Sequence, residues 1–416
     1  FPTRRSSDLG VACGGGDDAS GNGCEGDLKI AFFGALTGDA GNLGVNIKKG
    51  LDLAVAQHNA ENADSQLVVE AYDSQGDPDQ APALADKAIA DPCVVGIVGP
   101  AFSGESAAVN PKFEEAGLPI ITPSATNPDL SKNGWDVFHR ALAGDDKQGP
   151  GAAAKIVADG KMKVGVVDDN SEYGKGLADI VQESLGDKAV ELNSLDAEAS
   201  DYSAIITAAK DAGVDAVFFG GYYAAAGKLA KQMADAGVTA TFYSGDGTLD
   251  KGFIEAAGPA AEGAILTCTC APFDTNPEFL AAFREQFDGE DPATYAAEAY
   301  DAASVFIAAI KDGKTTRADI LSFINGYDAA GVTKQLKWDE TGEVTGSAVY
   351  AYEIKDGAIK GINLAQRLRQ AKAAGVESVF DLLDLDDAER ARILGAVSLT
   401  PAQLADVARA ANRYPD

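Results

Sequence analysis

From residue 28 onward the chain alternates short apolar-rich runs with longer stretches in which apolar positions recur every three or four residues. The runs LKIAFFG (28–34), LVVEAYD (67–73), VVGIV (94–98), PII (119–121) and DVFHRA (136–141) predict strands, with helices between them. The pattern then restarts with MKVGVVD (162–168), AVELNS (189–194), VDAVFFG (214–220), TATFYSG (239–245) and AILTC (264–268). Two successive α/β series of about 120 residues each imply two doubly wound lobes with right-handed crossovers. Helical patterns from Asn276 to Tyr327 and the strands TKQLKWDE and SAVYAYEIKDG return to complete one lobe and then the other. The expected architecture is α/β, two doubly wound lobes joined by a multi-strand hinge. Residues 27–142 and 272–345 make the first lobe, 143–271 and 346–361 the second. A cleft between lobes is the expected binding place.

Two strand ends in VVGIVGPAFSGESAAVNPKFEEAGLPIITPSATNPDL (94–130) carry candidate binding groups. The first strand stops at Gly99-Pro100, and Ser103-Gly104-Glu105 opens a helix, offering backbone N–H groups and the Ser103 hydroxyl to a carboxylate or phosphate. The second leads into Thr122-Pro123-Ser124-Ala125-Thr126, with hydroxyls at a strand's carboxyl end, where open α/β sheets bind ligands. Composition narrows the partners. Against 64 acidic side chains stand 34 basic ones, a net charge of −30, so the chain lacks the basic footprint that nucleic acid requires. It contains no run of 18 apolar residues, the length needed to span a membrane as a helix.

The first 26 residues read differently. FPTRRSSDL has neither an apolar core nor a fold period, and is expected to be a truncation or fusion scar. Gly10-Val11-Ala12-Cys13-Gly14 and the following GGDDASGNG resemble the lipobox and flexible tether of a bacterial lipoprotein, with Cys13 the acylated residue. Gly10 departs from the usual Leu of that motif. Of the other cysteines, Cys24 and Cys93 precede strands that are neighbours in a doubly wound sheet, within reach of a disulfide. Cys268 and Cys270 either face one side of a strand or close a tight local bridge. Zinc is the weaker reading, with no second ligand pair nearby in sequence.

Catalytic motifs fail one by one. His58 is expected on the polar side of its helix and His139 near a strand end, both structural. GALTGDAGNLG lacks the dinucleotide spacing, and GYYAAAGKL has one residue too many for a P-loop. Ser106 misses the second Gly of a nucleophile elbow. Asp168, Asn170 and Glu172 begin a calcium loop, but Tyr173 occupies its Gly position. No carrier of acyl, phosphoryl or hydride chemistry remains, no catalytic residue and no cofactor is expected, and the chain reads as a binder.

The ordered motifs GALTG, YDSQGDP, IVGPAFSGES, ITPSATNPDL, DDKQGPGAA, EYGKGLA, FFGGYY and SGDG resemble, over residues 27 to 361, the periplasmic-type solute-binding proteins for leucine, isoleucine and valine. The resemblance implies a type I periplasmic-binding-protein-like fold. It also implies hinge closure on an amino acid and delivery to the membrane permease of an ABC importer. Carried over by motif, Ser103, Ser124 and Thr126, with Ala125 between them, bind the ligand's α-carboxylate and α-ammonium, Ser124 by its backbone. Asp246 pairs the ammonium, and Tyr173 and Tyr222 wall the pocket. Gly76 and Phe102 stand where some members carry a paired disulfide, and Leu43 where an aromatic often covers the ligand. The implied protein is extracytoplasmic and held at the membrane by its lipid anchor only. The alternatives are a binder of short amides or urea and the ectodomain of a ligand-sensing receptor. Residues 362–416 form a short all-helical appendage whose GVESVFDLLDLDDAER and LTPAQLADVARAANRYP resemble the helical domain behind the core of spliceosomal-type RNA helicases. With that core absent no unwinding is implied, and a chimeric reading frame is expected.

Overall fold

The computed structural model describes residues 23–272, 276–346 and 348–362; Cys13, the tether and the appendage from residue 363 lie outside them. The first series yields β1 (Leu28–Gly34), α1 (Gly41–Glu61), β2 (Leu67–Asp73), α2 (Ala81–Ala90), β3 (Val94–Val98), α3 (Ser103–Glu115), β4 (Ile120–Thr122) and β5 (Phe138–Arg140). The second yields α4 (Asp145–Ala158), β6 (Val164–Asp168), α5 (Glu172–Leu185), β7 (Ala189–Glu191), α6 (Ser203–Ala212), β8 (Ala216–Gly220), α7 (Tyr223–Asp235), β9 (Thr241–Ser244), α8 (Lys251–Ala257) and β10 (Ile265–Cys268). The chain then adds α9 (Pro277–Gln286), α10 (Ala296–Lys311), α11 (Arg317–Asn325), β11 (Ala329–Ala330), β12 (Gln335–Leu336), β13 (Tyr350–Lys355) and β14 (Ala358–Gly361).

Five parallel strands in the order β2-β1-β3-β4-β5 form one sheet, and seven in the order β14-β13-β10-β9-β8-β6-β7 form the other. In the second sheet β13 runs antiparallel to β10, and β14 to β13. In both sheets the strand order reverses beside the first strand, β1 or β6, and the crevice of an open α/β sheet lies at such a switch point. The central strands are apolar throughout because helices cover both faces; β3, β6 and β8 are buried at every residue.

The structure corrects the sequence reading in two places, the strand lengths and His58. β1, β2 and β3 match their apolar runs, whereas β5 to β10 are shorter than theirs, and TKQLKWDE contributes only the strand Gln335–Leu336, paired with β11. His58 is not on a polar face: it is buried, with Nε2 2.8 Å from Ser65 O, because α10 packs against α1. His139 is buried in β5, its Nε2 2.8 Å from Asn325 Oδ1, and burial lowers its pKa. Two disulfides are present, Cys24–Cys93 at the start of β3 and Cys268–Cys270 at the end of β10.

Candidate functional site

The first wall of the site is built by the turn after β3. Gly99 takes φ +135°, and a Cβ there would stand 2.5 Å from Phe33 O, so the chain passes tightly over β1 into α3. Ser103 opens that helix, and its Oγ accepts from Asn127 N at 3.2 Å. One residue earlier, Phe102 N donates to Glu105 Oε2 at 3.3 Å, and Ser74 Oγ bonds the other oxygen of the same carboxyl. Burial pushes Glu105 up to about 7, against the opposing pull of these hydrogen bonds.

The turn after β4 is fastened to the first one. Thr122 Oγ1 donates to Pro100 O at 2.7 Å and Ser124 Oγ to Ala101 O at 2.6 Å. Ala125 is spoken for on both sides, its N–H by Thr122 Oγ1 and its carbonyl by Arg140 Nη1, which also reaches Asn127 O. Arg140 is itself buried and paired with Glu343. Thr126 follows, fully buried, its hydroxyl set against the Asp145 carboxyl.

The opposite wall comes from the second sheet. Asp169 Oδ2 accepts from Tyr222 N at 3.2 Å, and Tyr222 lies 5.2 Å from Tyr173 between ring centroids. Tyr222 also meets Phe102 of the first wall edge-on at 5.3 Å. Leu43, Ala101, Phe102, Ser103, Ser124, Tyr173, Tyr222 and Tyr295 line one narrow cleft, with about 10 Å³ of open space between them. A larger hollow of about 570 Å³ lies elsewhere, between α1 and α10. The polar groups on its walls bond one another: Tyr300 OH donates to Gln57 Oε1, and Lys311 faces Glu61.

Behind the tyrosines lies a buried acidic cluster. Asp246 accepts from Gln148 Nε2 at 2.7 Å and Tyr173 OH at 2.6 Å on Oδ1, and from Tyr295 OH at 2.8 Å on Oδ2. Asp145 is fully buried at the start of α4, with the Thr126 side chain set against its carboxyl, and Gln148 Oε1 is buried without a partner among the described residues. Burial, and then the neighbouring Asp246 charge, push Asp145 well above the ordinary carboxylate range. Burial also raises Asp246, with its three donors pulling it back. The structure thus brings Ser103, Ser124, Tyr173 and Tyr222 to one cleft, with Asp246 behind it bonded to Tyr173 and Tyr295. It makes Ala125 part of the framework, and it adds Asp145, Gln148 and Tyr295, which the sequence reading missed. Asp145 and Gln148 share a helix face at i, i+3 spacing, the one pattern in DDKQG that points to them.

Residues 27–358 match the family described as periplasmic binding protein. The Leu/Ile/Val-binding protein BraC3 of Rhizobium johnstonii is 32% identical over 343 residues, 80% of this chain and 93% of its own. The leucine-, isoleucine-, valine-, threonine- and alanine-binding protein of Pseudomonas aeruginosa is 31% identical over 78% of this chain and 89% of its own. Among solved structures, the branched-chain amino acid transporter substrate-binding protein LivJ of Streptococcus pneumoniae, in complex with isoleucine, superposes with a TM-score of 0.74 at 28% identity. It covers 81% of this chain and 99% of its own.

Proposed function

The chain belongs to the periplasmic binding protein family, and on that footing we propose that it captures a branched-chain or related aliphatic amino acid between its lobes and delivers it to an ABC importer. The observation that carries the reading is a buried polar lining beside a helix mouth, where the Asp145 carboxyl has the Thr126 hydroxyl set against it and Gln148 Oε1 is left without a partner among the described residues. A buried carboxyl with so little to answer its charge is costly, and a cationic guest offsets that cost. A zwitterion answers both halves of the cleft. Its carboxylate lies on the open N–H groups of α3, with Ser103 Oγ and Thr126 Oγ1 as further donors. Its ammonium faces Asp145, with Asp246 behind. Exclusion of water strengthens both contacts.

The open space of about 10 Å³ between the walls is about the room of one water, so capture requires the lobes to part and close again. We take 27–142 with 272–345 as one moving body and 143–271 with 346–361 as the other. The protein is extracytoplasmic, and two disulfides suit an oxidising compartment. Acylation of Cys13 supplies the anchor in this proposal.

Titrating the full chain with leucine, valine, glutamate, acetamide and urea while following Tm tests the reading, because a ligand held only by the folded form raises it. A rise with leucine or valine that shrinks in Ser103→Ala or Asp145→Asn is expected. A rise with urea or acetamide alone overturns the amino acid and leaves an amide binder.

A further inference from the structure

Resting on the amino-acid reading above, we infer that Phe102 sets the upper size of the ligand side chain, and that Glu105 acts as a positioning residue that fixes where the Phe102 ring stands. Leu43, Ala101, Phe102 and Tyr222 bring apolar surface to the cleft, and the buried carboxylates lie behind it, bonded to Tyr173 and Tyr295. Phe102 is the large side chain brought by the first wall, and it reaches across the cleft to touch Tyr222 at 5.3 Å. A ring that bridges both walls takes up room that a longer side chain needs.

The ring is held from behind. Phe102 is extended, φ −120° and ψ 148°, immediately before α3, and its N–H is gripped by Glu105 Oε2. Glu105 is fully buried, and its other oxygen is bonded by Ser74 Oγ at the end of β2, so the grip is anchored in the first sheet and not in the moving partner. Gly76 lies beside the ring: a Cβ there would stand 3.9 Å from Phe102 Cε2, an ordinary contact. With backbone and sheet fixing its root, the ring has little freedom to swing aside for a larger guest. Glu105, which contacts no residue of the acidic cluster, then has a definite task.

The test is calorimetric titration of the full chain with alanine, valine, leucine, methionine and phenylalanine. In Phe102→Ala, phenylalanine and methionine should gain on valine by about tenfold or more, the scale of one or more methylenes in an apolar pocket. Phe102→Leu should move the same way by less, and Phe102→Trp should penalise leucine relative to alanine. Glu105→Ala should reproduce part of the shift and Glu105→Gln, which keeps an acceptor for Phe102 N–H, should restore the wild-type order. Unchanged ratios in Phe102→Ala and Phe102→Leu, or an equal loss for every ligand, overturn the inference while valine binding by the wild type keeps the amino-acid reading. A wild type that binds none of the five removes that reading, and this inference with it. If Glu105→Ala leaves the ratios of the wild type, the positioning role falls and the size role of Phe102 stands.

Discussion

Asp145 shows what a single residue's surroundings add to its letter. In the sequence it is one of two adjacent aspartates in the first turn of a helix, a position that the helix dipole favours for any acid. Nothing in the run separates it from the exposed Asp146; only the fold buries the first and leaves the second in water. Ser103 and Thr126 stand out in the sequence as hydroxyls just past strand ends, although caps and turns favour them too, whereas Tyr295, held at φ 71° beside Asp246, looks like any core aromatic. The raised Asp145 value has two consequences of known sign. An ammonium favours the carboxylate, so binding expels a proton between the values of the bound and free protein, and affinity falls as pH drops through the free one. Titrations in buffers of different ionisation heat should reveal that proton. As for stability, a carboxyl raised by folding contributes fully below its unfolded value of about 4 and loses that contribution as pH rises through the folded value. Asp145→Asn is therefore expected to raise Tm at neutral pH while weakening leucine binding about 10- to 100-fold, the scale of one hydrogen bond to a charge. A variant that binds normally, or that loses Tm and affinity together, counts against Asp145 as an ammonium partner. Glu105 obeys the same sign with a value near 7. The Tm of Glu105→Gln relative to wild type should improve as pH rises from about 5 to 8, by at most about 3 kcal/mol in stability.

At the scale of elements, periodicity recovered every central strand because a strand covered on both faces must be apolar throughout. It failed where an element's surroundings come from far along the chain. The face of α1 that carries His58 reads as polar, yet α10, more than 200 residues later, lies on it. The two helices meet through Gly50: a Cβ there would stand 2.0 Å from Ala296 O and 3.0 Å from Tyr300 N. Backbone cannot yield as a side chain tip does, so Gly50→Ala must push α10 outward at a cost of about 1–3 kcal/mol or more. The cost also reaches the site, since Tyr295 sits at the N-terminus of α10 and holds Asp246. Thermal unfolding should show Gly50→Ala several degrees below wild type, with weaker leucine binding as well. Gly26→Ala, where a Cβ meets nothing within 4 Å, should match wild type. Equal Tm values for the two variants mean that the helices do not pack as described.

For the whole molecule, under the closure proposed above, the governing quantity is the balance between open and closed lobes, and the bonds between the two sheets' elements belong to the closed side. Asn42 Nδ2 on α1 donates to Asp250 Oδ1 before α8 at 2.8 Å, with Asn46 Nδ2 3.4 Å from Oδ2. Asn42 N also lies 3.3 Å from Tyr223 OH. On another rim, Asn127 Nδ2 donates to Glu172 O at 2.8 Å. These bonds join the two sheets' helices without involving the buried acceptors, so parting the lobes breaks them whatever ligand is inside. No sequence pattern announces them, because Asn42 and Asp250 are 208 residues apart and each reads as an ordinary helix-start polar residue. Removing one should leave the open form untouched and raise the free energy of the closed form by about 0.5–1.5 kcal/mol. Asn42 is the partner to change, since Asp250 Oδ1 also accepts from Gly252 N at the start of α8. Asn42→Ala should accelerate ligand release and raise Kd by a factor of about 2 to 10 with little change in association rate. The factor should be the same for leucine, isoleucine and valine. A factor that differs between ligands would place Asn42 against the guest instead, and an unchanged release rate would mean that closure does not draw on this contact.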